Sequence, residues 1–138
     1  MPAPVVCSED EVVYLVHTFY AKVREDPQLG PIFEAHVDDW PHHLSKLVDF
    51  WSAALCGTSR YRGSPMVAHV RLPGLHPGLF DRWLELFRST TATIENAPMR
   101  ARADELASRI AESLWFGYQM HQDPDRMPGS LRAAAAAQ

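Results

Sequence analysis

Ten residues near the middle of the chain, Ser64-Pro-Met-Val-Ala-His-Val-Arg-Leu-Pro73, restrict the fold more than any other segment. Ser64 followed by Pro65 is a helix start, with a hydroxyl to cap and a proline at the first helical position, where no amide hydrogen is needed. Pro73-Gly74 is a stop, because Pro73 cannot continue a helix and pushes Leu72 out of the helical region. About two turns of helix fit between these signals, too few to persist alone in water. His69 lies in the middle of them. Neutral imidazole is the commonest metal-ligating side chain, but a solitary histidine is more often a surface or core residue, so the rest of the chain must decide.

The segments on either side repeat one pattern: a cap, an apolar stripe at helical spacing, and a proline or glycine break. Ser8-Glu-Asp-Glu11 is a capping box, followed by Val12, Leu15, Val16, Phe19, Tyr20 and Val23. Asp26-Pro27 ends that helix, and Leu29-Gly-Pro-Ile-Phe33 reads as a turn followed by an apolar pair. The next helix is expected from Asp38 or Asp39, with Pro41 in its first turn and a stop before Gly57; His43, Leu47, Phe50, Trp51 and Ala54 share one side. After a loop at 57–63 and the His69 segment, His76-Pro77 opens a longer helix carrying Phe80, Trp83, Leu84, Phe87, Thr91 and Ile94. Asn96-Ala-Pro98 starts the last one, with Leu106, Ile110, Leu114, Gly117 and Tyr118 on its inner side. No strand-type alternation persists, so the expectation is an all-α fold: one domain over 1–122 and a disordered, low-complexity tail over 123–138.

Composition narrows the function classes. With 46% hydrophobic and 22% charged residues the chain is of globular type, and 138 residues suffice for one ordinary core. A net charge of -4 without a basic block argues against nucleic acid, whose binding rests on phosphate neutralisation. No apolar run reaches a membrane span and the N-terminus lacks a signal-peptide pattern, so no membrane association and a cytoplasmic location are expected. Cys7 and Cys56 have no metal-type spacing and are expected as reduced thiols.

Three segments together resemble the globins, specifically the truncated haemoglobins and most closely their third group. They are Phe19-Tyr-Ala-Lys-Val-Arg-Glu-Asp-Pro-Gln-Leu-Gly-Pro-Ile-Phe33, His43-Leu-Ser-Lys-Leu-Val-Asp-Phe-Trp51, and Tyr61-Arg-Gly-Ser-Pro-Met-Val-Ala-His69 with Leu72-Pro73. The resemblance covers roughly Tyr14 to Tyr118 and implies two helix pairs clasping haem b, iron protoporphyrin IX. Carried over by position, His69 corresponds to the proximal iron ligand, and Tyr20, His43 and Trp83 to distal residues that face the gas. Phe33 corresponds to the phenylalanine on the haem face, and Leu47, one turn past His43, to an apolar wall over the ligand. Lys46, Tyr61 and Arg71 are candidate propionate partners; Phe50 and Met66 are candidate packing residues.

The residue chemistry is compatible with that transfer. Tyr20 offers a phenolic donor and Trp83 an indole donor, both neutral at physiological pH. Bound dioxygen carries partial negative charge, and fixed donors in a dry pocket hold such charge better than water does. Taken singly, either aromatic reads as core material, and the resemblance is what raises them above that. Adjacent His42 and His43 point about a hundred degrees apart, and periodicity with Leu47 and Phe50 selects His43. His17, His36, His42, His76 and His121 are expected on the surface. The primary reading is a haem protein that reversibly binds dioxygen and other diatomic gases such as nitric oxide and carbon monoxide, served by a reductase. The alternatives are a nitric oxide dioxygenase or weak peroxidase at the same iron, a gas or redox sensor, and a globin-shaped scaffold without haem.

Overall fold

The computed structural model describes residues 6–61 and 74–131. Among them are five α-helices and no strand: α1 (Glu9–Glu25), α2 (Gly30–His36), α3 (Trp40–Cys56), α4 (Pro77–Thr91) and α5 (Ala97–Gln122). None of these is long and apolar enough to cross a membrane. The all-α expectation holds, and most helix ends fall where the caps place them. Ser8 Oγ accepts from the Glu11 amide at 3.2 Å while Glu11 Oε1 accepts from the Ser8 amide at 2.9 Å, a complete capping box. Asp39 caps α3 through the His42 amide at 3.1 Å, and Gly57 ends it with φ of 72°, a left-handed conformation natural to glycine. Asn96 caps α5 through the Met99 amide at 3.2 Å.

The helices form two layers: α1 packs on α3 and α4, α4 on α5, and α3 on α5, while short α2 lies on α1. Phe87 is the hub, fully buried, with its ring 5.1 Å from those of Phe19 and Trp51 and 5.5 Å from that of Trp83. The α1 stripe is buried as the periodicity implies, from Val12 to Val23.

Three segments differ from expectation. Leu29–Phe33 is not a turn followed by an apolar pair; Gly30 and Pro31 open a seven-residue helix. Proline is tolerated in a first helical turn, and Gly30 lies so close to α1 that a Cβ would stand 2.6 Å from the Arg24 carbonyl oxygen. In α5 the fully buried stripe is Met99, Ala103, Ala107, Ala111, Leu114 and Tyr118, whereas Leu106 and Ile110 are only half-buried. Small side chains let neighbouring helices approach closely, so the alanine register faces inward. Finally, the segment after α5 folds back on it as far as Leu131, which is buried and whose amide donates to the Glu112 carboxylate at 3.0 Å. Gln119 pairs with the Gly129 amide and carbonyl at 2.9 and 2.8 Å.

Asp26, buried at the end of α1, joins the layers. Its carboxylate accepts from the Leu29 and Gln28 amides at 2.9 and 3.0 Å and from Arg82 Nε of α4 at 2.7 Å. Burial alone would raise its pKa, but the Leu29 amide, the Arg82 guanidinium and the Gln28 amide outweigh it and hold the carboxyl below its ordinary value. A group with a depressed folded pKa contributes its stability above the unfolded pKa and loses it as pH falls through the folded one. Asp26→Ala should therefore cost about 3 kcal/mol at neutral pH in urea unfolding, because the buried Leu29 amide, the Gln28 amide and the Arg82 guanidinium lose their acceptor. In the wild type the urea midpoint should drop below about pH 4, and Asp26→Asn should flatten that part of the profile. An unchanged acid limb in the variant would contradict the assignment.

Candidate functional site

The inner face of α3 is unevenly covered. Its ends are closed by Trp40, Trp51 and Leu55, all buried, but His43, Leu44, Leu47 and Val48 between them stay partly exposed although they pack against the core. Residues spaced three and four apart share one side of a helix, so this is an apolar stripe whose middle is only partly covered. Half-buried Phe33 of α2 and Trp83 of α4 also border the core. A partly covered apolar wall of this kind can bury further surface against an apolar ligand.

Behind the wall sits one buried polar pair. Tyr20 is 5% exposed, and the Trp83 side chain lies near enough to its hydroxyl to pull its pKa down against burial. Indole nitrogen can only donate, so Trp83 can offer its N–H to the Tyr20 oxygen and leave the phenolic proton to be given elsewhere. Burial pushes the Tyr20 pKa up, an effect Trp83 only partly offsets, so the phenol stays protonated at physiological pH. Phe19 holds the pair in place: its ring is 4.8 Å from that of Tyr20 and 5.3 Å from that of Trp83, both edge-on. Trp83 also stacks on Phe87, and its neighbour Arg82 is tied to Asp26, which anchors this turn of α4 to the end of α1.

His43 joins this group. Its ring lies 6.2 Å from that of Tyr20, 6.4 Å from Phe33 and 5.4 Å from Trp40, and its Nε2 is shielded from solvent. His42, His17, His36, His76 and His121 are exposed. Tyr20 and Phe33 are in edge contact at 5.8 Å. The structure thus brings Tyr20, Phe33, His43 and Trp83 together, with Leu47 on the same face of α3 as His43. Lys46 is exposed and has no ion pair among the described residues, while Phe50 meets Tyr61 edge-on at 5.3 Å further along α3. Burial raises the Tyr61 pKa. His69, Met66 and Arg71 lie outside the described residues.

Two site residues carry no obvious sequence signal of their own. Trp40, at the first position of α3, is buried between Phe33 and His43 with Arg24 over its ring at 4.3 Å. Its Nε1 is buried without a hydrogen-bond partner among the described residues. The signal available was its spacing, three residues before His43 on one helix face. Phe19 reads as ordinary core because it precedes Tyr20, yet it is the spacer that sets the tyrosine against Trp83.

Comparison with known proteins shows the family. A family model described as bacterial-like globin matches residues 5–115. The Group 3 truncated hemoglobin ctb of Campylobacter jejuni subsp. jejuni is 32% identical over 116 residues, which cover 78% of this chain and 91% of that protein. The crystal structure of group III truncated hemoglobin from Campylobacter jejuni aligns with a TM-score of 0.75 at 30% identity, covering 88% of this chain and 96% of that one. The chain belongs to the bacterial-like, truncated globin family, and within it is most like the third group.

Proposed function

We propose that this protein holds haem b in the cleft beside α3, with His69 as the axial ligand, and reversibly binds dioxygen against the Tyr20–Trp83 pair. Family membership itself implies a haem-binding protein with a small gaseous ligand. The observation that carries the finer reading is the burial of the Tyr20 hydroxyl near Trp83, both rings set against Phe19, behind a half-open apolar wall. When bound, haem iron supplies the coordination position for a diatomic gas. The chain supplies the rest. Tyr20, already accepting from Trp83, directs its hydroxyl proton toward partial negative charge on the gas, and the Trp83 hydrogen bond makes that proton a better donor. Phe33 and Leu47 exclude water, which would compete for the same proton. His43 borders the ligand from α3. Phe50 and Met66 would pack the macrocycle, and Lys46, Tyr61 and Arg71 are the groups we assign to its propionates. Reversible use also calls for a reductase that keeps the iron ferrous.

Tyr20→Phe should accelerate dioxygen release roughly fivefold, the low end of one net hydrogen bond, because the freed Trp83 N–H takes over part of the role. Carbon monoxide, less polarised when bound, should change far less. Flash photolysis and stopped-flow mixing measure both rates. A dioxygen release rate identical to wild type would refute the donor role of Tyr20.

A further inference from the structure

Both cysteines are free thiols, yet their sulfur atoms stand 3.6 Å apart although the residues are 49 positions apart in sequence. The approach is held on every side. Val6, just before Cys7, gives its carbonyl to Asn96 Nδ2 at 2.8 Å, and Ser8, just after it, is the α1 cap. Cys56 is the last residue of α3, and its thiol donates to the Cys7 carbonyl at 3.4 Å. One turn earlier, fully buried Ser52 donates to Glu9 and accepts from Thr58 at 3.0 Å. Arg60 Nη2 bonds Glu9 Oε2 at 3.0 Å and its Nε bonds Asp49 at 3.1 Å, so the start of α1 and the end of α3 are fastened together.

We propose that Cys7 and Cys56 are a dithiol–disulfide site, oxidised by a low-molecular-weight disulfide and reversed by the corresponding thiol. A disulfide needs a sulfur separation near 2.0 Å, so the pair must close by about 1.5 Å. Both residues sit at element ends, one before a cap and one before left-handed Gly57, where helices fray and the backbone shifts more easily than in a helix interior. The order of events follows from exposure. Cys7 is 9% exposed and its thiol is pushed up to about 12, by burial first and then by the Cys56 hydrogen bond, so it stays protonated. Cys56 is the more accessible sulfur and is the first to react.

With glutathione disulfide as oxidant, the Cys56 thiolate attacks one sulfur, the glutathione S–S bond breaks, and one glutathione leaves as thiolate and takes up a proton. Cys7 then loses its proton, attacks the Cys56 sulfur of the mixed disulfide, and expels the second glutathione, which is protonated in turn. Two cysteine thiols are oxidised and one glutathione disulfide is reduced to two thiols. The bond formed would close a loop containing α1, α2 and all of α3, the segments that carry Tyr20, Phe33, His43 and Leu47. Oxidation therefore stiffens that wall of the cleft, whatever ligand the cleft holds.

The test is to equilibrate the full-length protein in glutathione buffers of increasing disulfide fraction, quench with maleimide, and weigh the intact chain. The expected product is a monomer two hydrogens lighter that takes up no maleimide, with a melting temperature raised by roughly 5–15 °C. Cys7→Ser should stop at a stable glutathione adduct on Cys56, and Cys7→Ala serves the same purpose if a serine hydroxyl is not accepted at that buried position. Two maleimide adducts on the wild type at every ratio would overturn the proposal. So would a disulfide-linked dimer, or a wild-type glutathione adduct that never closes.

Discussion

Replacing both Tyr20 and Trp83 by phenylalanine should speed dioxygen release by roughly thirty- to a hundredfold, well beyond the effect of either single change. The reason lies in how the two side chains are joined. On the proposed reading, Trp83 donates to the Tyr20 hydroxyl, and that hydroxyl keeps its own proton for the gas. Removing Tyr20 frees the indole N–H of half-buried Trp83, and on the proposed reading the gas is the acceptor at hand. Removing Trp83 leaves a less polarised but intact phenol. Each single variant thus retains one donor, and only the double variant has none. At about 1 to 1.5 kcal/mol per net hydrogen bond, losing both amounts to two or three kcal/mol. Dioxygen release from the four members of this double-mutant cycle gives the coupling directly. A double variant no faster than Tyr20→Phe would mean that Trp83 acts only through Tyr20 and never replaces it.

The pair is held by features remote from the cleft. Phe19 packs edge-on against both rings, Phe87 stacks on Trp83, and Asp26 ties Arg82, the residue before Trp83, to the end of the helix that carries Tyr20. A donor aimed in advance pays no reorganisation when the ligand arrives, which is why such packing belongs to function as much as to stability.

Helix boundaries were legible because they rest on local chemistry. Ser8, Asp39 and Asn96 cap the helices they precede, and Gly57 closes α3, each by contacts within a few residues. The choice of His43 over His42 was legible for a similar reason, since angular spacing on one helix decides it. What periodicity could not supply was the identity of the neighbour across a gap. In α5, Leu106 and Ile110 look like the inner face by hydropathy, but close helix packing places Ala103, Ala107 and Ala111 there instead. Helix α2 was hidden because Gly30 and Pro31 normally mark turns; only the close approach of Gly30 to the Arg24 carbonyl makes a glycine necessary. Leu131 is buried by a tail whose composition resembles that of a disordered one. The Tyr20–Trp83 contact joins residues 63 positions apart, and its sequence signal was the family resemblance alone. The approach of Cys7 to Cys56 had no signal of any kind.

The central claim is that this cleft binds haem through His69, and absorption spectroscopy addresses it most directly. Protein expressed with haem supply would be recorded in ferric, dithionite-reduced and carbon-monoxide-bound forms, as wild type and as His69→Ala, with circular dichroism to verify that both fold. The account predicts one haem per wild-type chain, a ferrous form that takes up carbon monoxide, and loss or marked alteration of that spectrum in His69→Ala. A helical, folded wild type that takes up no haem would contradict it, and so would a variant whose spectra match the wild type in all three forms.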